Sequence, residues 1–192
     1  MAQPDRMKQR DLLLAIISIC GKRPEFGRTS LQKVAYFASE GLHVDLGHRA
    51  HLYGPFSDTV ESDIEMLIVS GLVDERAHTL GFIGPGGYEG RRFEYSLTPD
   101  GEERIESVRA AHSTEFKQLE AFVDALTDAA GGLDQRILSP AAKTYFIAKR
   151  EKRALSLREI GELALQLGWR LTPAQVKRVS NMLQSLGLLK SV

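Results

Sequence analysis

The sequence predicts a mostly α protein with a small β-hairpin wing, an α+β fold of the winged helix-turn-helix type. Three observations support this prediction: apolar residues at helical spacing, one glycine-rich hairpin pattern, and a short internal repeat. We expect two tandem trihelical units joined by a helical segment. Their predicted bounds are 1–100 for an N-terminal winged-helix domain, 101–132 for connecting or dimerisation helices, and 133–192 for a basic helix-turn-helix-like unit.

The first unit begins with two predicted helices. Continuous apolar character over residues 11–20 predicts a buried first helix. A loop with glycine and proline follows, after which Thr29 or Ser30 is expected to cap the second helix. Residues 43–53 then have weak strand character and lead into a turn at Gly54.

A third helix and a hairpin complete the predicted winged unit. Ser57 or Asp58 caps this helix, and with Asp58 as the cap Glu61 would complete a capping box. Two β-type runs, 72–83 and 92–97, flank the glycine-rich sequence GPGGYEG, as in a hairpin with a long tip. The order of three helices, a hairpin and a further helix is typical of winged-helix proteins.

The second half of the chain is predicted to be helical throughout. Apolar residues recur at helical spacing over 100–130, and Ser113 is a candidate position for a break of this segment into two helices. Such a helix often forms a dimer interface, and it could equally pack on its own domain. Gly131 and Gly132 indicate a boundary. Three further helices are predicted to begin at Ser139, Ser156 and Thr172.

An internal repeat links the two halves. The segment SLQKVAYFA at 30–38 aligns with SLREIGELA at 156–164, and EMLIVSGLV at 65–73 aligns with NMLQSLGLL at 181–189. The first copy holds an insertion around 43–54. Any trihelical unit needs a cap, an apolar stripe and a glycine at the helix end, so convergence is the alternative. We favour two tandem units because both segments match in the same order.

Charge is unevenly distributed although the formal net charge is zero. Residues 1–142 contain 15 Lys and Arg against 22 Asp and Glu, whereas residues 143–192 contain 10 against 3. A basic segment attached to an acidic body suggests a nucleic-acid partner for the basic part. The alternative is attraction between the two parts, within one chain or between chains.

The last predicted helix places basic and amide side chains opposite its apolar stripe. Lys and Arg can neutralise phosphates or reach guanine, while Asn and Gln can pair with adenine edges. Arginines beside the hairpin tip can assist at phosphate or the minor groove. Solvated faces are the alternative for both groups. The predicted contacts to double-stranded DNA are Lys177, Arg178, Asn181 and Gln184, with Arg91 and Arg92 assisting.

The third helix of the first unit has the opposite character, because it carries four carboxylates and neither Lys nor Arg. Carboxylates would repel DNA phosphates. We therefore expect this surface to face protein, as a dimer contact, an intramolecular contact with the basic unit, or a site for a partner. The predicted interface residues are Tyr53, Phe56, Asp58, Glu65, Met66 and Val69.

Motifs for catalysis and metal binding are not found in the sequence. In HVDLGHRAH, a strand would place His43 and His51 on one face and His48 on the other, which makes a poor ligand cage. The glycine-rich GFIGPGGYEG lacks the Lys-Ser/Thr helix start of a P-loop. Cys20 lies in an apolar run, which is typical of an inert thiol. We predict no enzyme activity, no metal and no cofactor.

The predicted location is the cytoplasm, without membrane association. No apolar run approaches the ~20 residues that span a bilayer. The first residues mix acidic with basic side chains and lack a small-residue cleavage site, unlike a signal peptide. A single cysteine excludes an intramolecular disulfide framework.

The motifs GRTSLQKVAYFAS and LYGPFSDTVESDIEMLIVSGLV together resemble those of a prokaryotic family, the YwgA-like proteins, and more distantly the Panacea domains associated with antitoxins. The resemblance covers about residues 10–100 and leaves the C-terminal basic unit outside. It implies a partner protein as readily as DNA. The matching positions are Leu31, Gln32, Lys33, Tyr36, Tyr53, Gly54, Pro55, Phe56 and Ser57.

Two hypotheses follow from these observations. The leading one is a cytoplasmic, homodimeric DNA-binding regulator that reads DNA through the last long helix. The other is a protein-interaction adaptor or antitoxin-like module, which would use the YGPFS turn and the acidic helix after it.

Overall fold

A computed structural model describes residues 7–21, 23, 26–83 and 89–189. This part of the chain contains eight helices and a two-stranded antiparallel sheet, which confirms a mostly helical α+β fold. In chain order the elements are α1 (Gln9–Cys20), α2 (Arg28–Gly41), α3 (Asp58–Val69), β1 (Val73–Ile83), β2 (Glu89–Leu97), α4 (Pro99–Ala111), α5 (Ser113–Ala130), α6 (Gln135–Glu151), α7 (Leu157–Gln166) and α8 (Pro173–Ser185).

Helix α2 lies at the centre of the molecule. Every residue from 30 to 39 is buried, and the helix contacts α1, α3, α5, α6 and β2. Burial on all sides means that its polar side chains, Gln32 and Lys33 among them, need hydrogen-bond partners inside the protein. These partners lie in the turn before α3, as described below.

The hairpin follows α3 as the sequence predicts. Strands β1 and β2 pair from Val73 opposite Leu97 to Thr79 opposite Arg91. The hairpin packs against α1, α2, α3 and α4. The centre of the predicted tip, residues 84–88, lies outside the described residues.

A shared apolar core extends across the glycine pair at 131–132. Gly131 adopts a left-handed conformation (φ 72°) and ends α5. Beyond it, Leu138 of α6 and Val179 and Leu183 of α8 belong to the same buried cluster as α1 and α2. A smaller cluster around Trp169 lies between α6, α7 and α8.

The predicted start of α2 is wrong. Gly27 precedes the first helical residue, so that Thr29 and Ser30 lie inside the helix. The hydroxyl of Ser30 instead donates to the backbone oxygen of Leu133 at 2.6 Å. A residue chosen as a cap from sequence thus makes a tertiary contact.

The predicted start of α6 at Ser139 is also wrong. Asp134 caps this helix by accepting a hydrogen bond from the backbone nitrogen of Arg136 at 2.7 Å. Pro140 therefore lies inside the helix, where it is buried, although proline is most common in the first turn.

The other predicted helix starts are confirmed. Ser156 and Thr172 begin α7 and α8, each within a complete capping box. Ser57, and not Asp58, caps α3, so the alternative box with Glu61 does not form.

Residues 43–53 form no strand; only a single bridge joins Arg49 to Phe56. No helix in the described ranges is long and apolar enough to span a membrane.

Candidate nucleic-acid interface

The turn between α7 and α8 is fixed by a buried tryptophan. Gly168 adopts a left-handed conformation (φ 72°) that turns the chain out of α7. Trp169 then packs edge-on against Phe146 of α6, with ring centroids 5.7 Å apart. Its indole Nε1 donates to the backbone oxygen of His51 at 2.6 Å. The α7–α8 pair is therefore attached both to α6 and to the segment 43–54 between α2 and α3.

Helix α8 has one buried and one exposed side. The buried side contains Val176, Val179, Met182 and Leu183, as the sequence pattern predicts. On the opposite side Lys177, Arg178 and Asn181 are exposed, whereas Gln184 is half-buried. The first three side chains are accessible to a macromolecular ligand, and Gln184 is less so.

The cations of the basic segment fall into two groups. Lys149 Nζ lies 2.6 Å from a carboxylate oxygen of Glu40 in α2. Two others pair with carboxylates within their own unit, Arg153 with Glu159 and Arg158 with Glu162. Neither Lys177 nor Arg178 has an ion-pair partner among the described residues, so their charges remain open to a ligand.

The hairpin arginines lie on a different part of the fold. Arg91 is exposed, and it has no ion-pair partner within the described ranges. Arg92 pairs with Glu94 on the same strand. The hairpin packs on α1–α4, whereas α8 packs on α5–α7, so the two predicted groups of DNA-binding residues lie on elements supported by different helices.

The predicted protein-facing surface is exposed along α3. Glu65, Met66 and Val69 all point away from the core. Asp58 is exposed but accepts hydrogen bonds from two guanidinium nitrogens of Arg49, Nε and Nη2, each at 2.9 Å. Phe56 is half-buried, with its ring centroid 5.0 Å from that of His51. Tyr53, in the turn before α3, is exposed.

A polar clamp holds that turn and was not predicted from the sequence. Gln32 Nε2 donates to the backbone oxygen of Ser57, and the nitrogen of Ser57 donates to Gln32 Oε1, each at 3.0 Å. Lys33 Nζ donates to the oxygen of Pro55 at 2.6 Å. Burial, with the charge of Lys143 nearby, lowers the pKa of Lys33 to about 8.

This clamp joins the LQK segment to the YGPFS segment. Residues of the first segment bind the backbone of the second, so the two segments form one tertiary contact. Both segments belong to the motifs that carry the resemblance, which was the available sequence signal for the contact. Periodicity alone does not reveal it, because Gln32 and Lys33 look like surface residues.

Two other groups that the sequence singled out are held in apolar surroundings. Burial lowers the pKa of His48 to about 4, and its ring lies 4.9 Å from that of Tyr36. Burial also raises the pKa of the Cys20 thiol to about 12. Among the described residues, no three His, Cys, Asp or Glu side chains are grouped as metal ligands.

The sequence matches no protein-family model, and the curated proteins include no significant match. The resemblance to YwgA-like proteins and Panacea domains therefore stays a prediction.

Proposed function

We propose that this protein binds duplex DNA through the outer face of α8. The observation that supports the proposal most directly is the pair of exposed cations, Lys177 and Arg178, without ion-pair partners among the described residues. Side chains of this type contact phosphates or guanine. Asn181 lies between them on the exposed side and would reach a base edge.

The surroundings of α8 favour the same partner. Residues 143–192 carry 10 Lys and Arg against 3 Asp and Glu. The only described carboxylates of that segment, Glu151, Glu159 and Glu162, precede the α7–α8 turn. A polyanion would therefore meet an excess of positive charge at α8. Arg91 would add a contact where the hairpin reaches the duplex, and Arg92 would have to exchange its bond with Glu94.

The test is fluorescence anisotropy of a labelled random-sequence duplex, titrated with protein over a salt series. Binding should weaken steeply with salt, because each neutralised phosphate adds about 0.9 to the slope of log K against log salt. A double K177E/R178E variant should bind far more weakly and lower that slope by about 2.

The matched control reverses two exposed lysines elsewhere in the fold, Lys8 before α1 and Lys117 on α5, and this K8E/K117E variant changes the net charge equally. This variant should retain most of the affinity. Equal binding by the wild type and K177E/R178E would refute the assignment of α8. An absence of binding even at low salt would refute the function and favour the protein-interaction hypothesis.

A further inference from the structure

Most of the exposed large hydrophobic side chains in the part of the chain that the structure describes lie on two helices. Six are exposed in all: two on α3, two on α7, and the neighbours Leu52 and Tyr53 in the turn before α3. Met66 and Val69 on α3 are 44% and 81% exposed. Leu157 and Leu165 on α7 are 39% and 64% exposed. Clustered apolar exposure indicates an interaction surface, whereas scattered exposure does not.

The α7 pair borders an apolar groove. It runs between α7 and the first turn of α8 and has a volume of about 560 Å³. Besides the two leucines, its walls are formed by Gly161, Leu171, Pro173 and Val176. The absence of a side chain at Gly161 keeps the groove open, since an added Cβ would meet no atom within 4 Å.

The charged residues around the groove suit an acidic occupant. Arg158 and Arg170 lie at its edge, with Glu162 as the single carboxylate. Arg158 is paired with Glu162, whereas Arg170 has no ion-pair partner among the described residues. The groove thus offers an apolar floor with one uncompensated cation beside it.

We propose that the groove binds helix α3 of a second copy of this chain. Helix α3 has four carboxylates and no cation. Asp63 is paired with Arg10, and Asp58 with Arg49. Glu65 is exposed beside Met66, and within the described ranges it has no ion-pair partner.

The groove can hold about two of the three turns of α3. Helix α3 has 12 residues and is about 18 Å long, while the α7 wall from Leu157 to Leu165 is about 12 Å long. Met66 and Val69 are three residues apart and so lie on one side of α3. A helix laid in a groove gains affinity from such apolar contacts, and charge complementarity orients it.

Two copies have no net charge to keep them apart, because the formal net charge of the chain is zero. The contact joins two different surfaces, so it closes into a dimer when each copy offers its α3 to the other. This inference goes beyond the proposed DNA binding, and it is tested without DNA. Failure of one proposal therefore leaves the other intact.

The experiment is sedimentation equilibrium of the full chain and of single charge reversals at the two surfaces, E65R and R170E. Each reversal places like charges in the contact and should raise the dissociation constant at least tenfold. In a mixture of the two variants, one contact is native and the other has both charges reversed, so association should return. The controls are charge reversals of exposed residues elsewhere, E103R on α4 and K117E on α5. These reversals should leave the dissociation constant unchanged.

Circular dichroism and thermal unfolding establish that each variant is folded. The proposal is overturned if the wild type stays monomeric, which is also the result expected if the groove binds a different protein. It is equally overturned if either reversal leaves association unchanged, or if the mixture fails to associate. The proposal is supported if both single variants associate more weakly than the wild type and the mixture of the two regains association.

Discussion

The two repeat segments form helix pairs that share a pattern but are held together differently. In the α2–α3 pair, side chains of the first helix bind the backbone of the turn before the second, through Gln32 and Lys33. In the α7–α8 pair, capping boxes define the helix starts, and Trp169 anchors the connection. The repeat therefore specifies helices and apolar stripes, while different tertiary contacts join the two helices of each copy.

Equivalent positions of the repeat show the cause of this difference. Gln32 is buried in α2, whereas its counterpart Arg158 is exposed on α7. Met66 is exposed on α3, whereas its counterpart Met182 is buried in α8. Helix α2 is covered on its outer side by α5 and α6, while α7 lies at the edge of the molecule. The neighbouring helices therefore determine which polar side chains are buried and need hydrogen-bond partners inside the protein.

The largest effect should come from removing the anchor of the second pair. Replacing Trp169 with Ala deletes a fully buried indole and should lower the free energy of unfolding by about 3–5 kcal/mol. W169F retains a ring beside Phe146 but loses the bond to His51, and should cost about 1–2 kcal/mol. Urea denaturation measures both. A loss under about 1 kcal/mol in W169A would contradict the role of Trp169 as the anchor.

A smaller effect is expected from breaking the clamp of the first pair. The Q32M variant conserves side-chain volume but leaves the backbone nitrogen of Ser57 unpaired in a buried turn, while the oxygen of Ser57 keeps its bond from the nitrogen of Glu61. Urea denaturation should show a loss of about 2 kcal/mol. The matched change R158M alters an exposed side chain and should have no measurable effect. Equal losses of stability in Q32M and R158M would mean that the clamp does not stabilise the α2–α3 pair.

Much of the fold was predictable because local chemistry determines it. The apolar stripe of α8 and the starts of α7 and α8 depend on periodicity and capping within one short segment, and the structure has them as predicted. The predicted hairpin follows α3 for the same reason, since a glycine-rich turn separates two β-type runs. These features need no information from distant parts of the chain.

The two errors in helix starts have different causes, a distant contact at α2 and an earlier local cap at α6. Ser30 has the chemistry of a cap, but Leu133 binds its hydroxyl. Pro140 resembles a helix start, but Asp134 begins α6 earlier. The exposed face of α8 was predictable from a helical projection, whereas the apolar groove beside α7 was not. It depends on how α7 and α8 pack, which periodicity does not specify.

The smallest predicted effect concerns His48, in the insertion that only the first pair contains. Burial is the main cause of its lowered pKa; Lys33 lowers it further, and Gln32 and Asp45 act against the shift. The folded pKa of about 4 lies below the ordinary 6.5, so the unfolded chain binds more protons between these values. This contribution to stability is full above about pH 6.5 and falls as the pH drops towards 4.

Lowering the pH from about 7 to about 5.5 should therefore decrease the free energy of unfolding by about 1 kcal/mol more in the wild type than in H48F. Phenylalanine retains a ring beside Tyr36 but does not titrate. Urea denaturation at the two pH values gives the difference directly, and the other titrating groups cancel because both proteins contain them. Equal losses in the two proteins would mean that His48 is solvated in the folded state. The acid sensitivity of the first pair would then have to come from another group of the insertion.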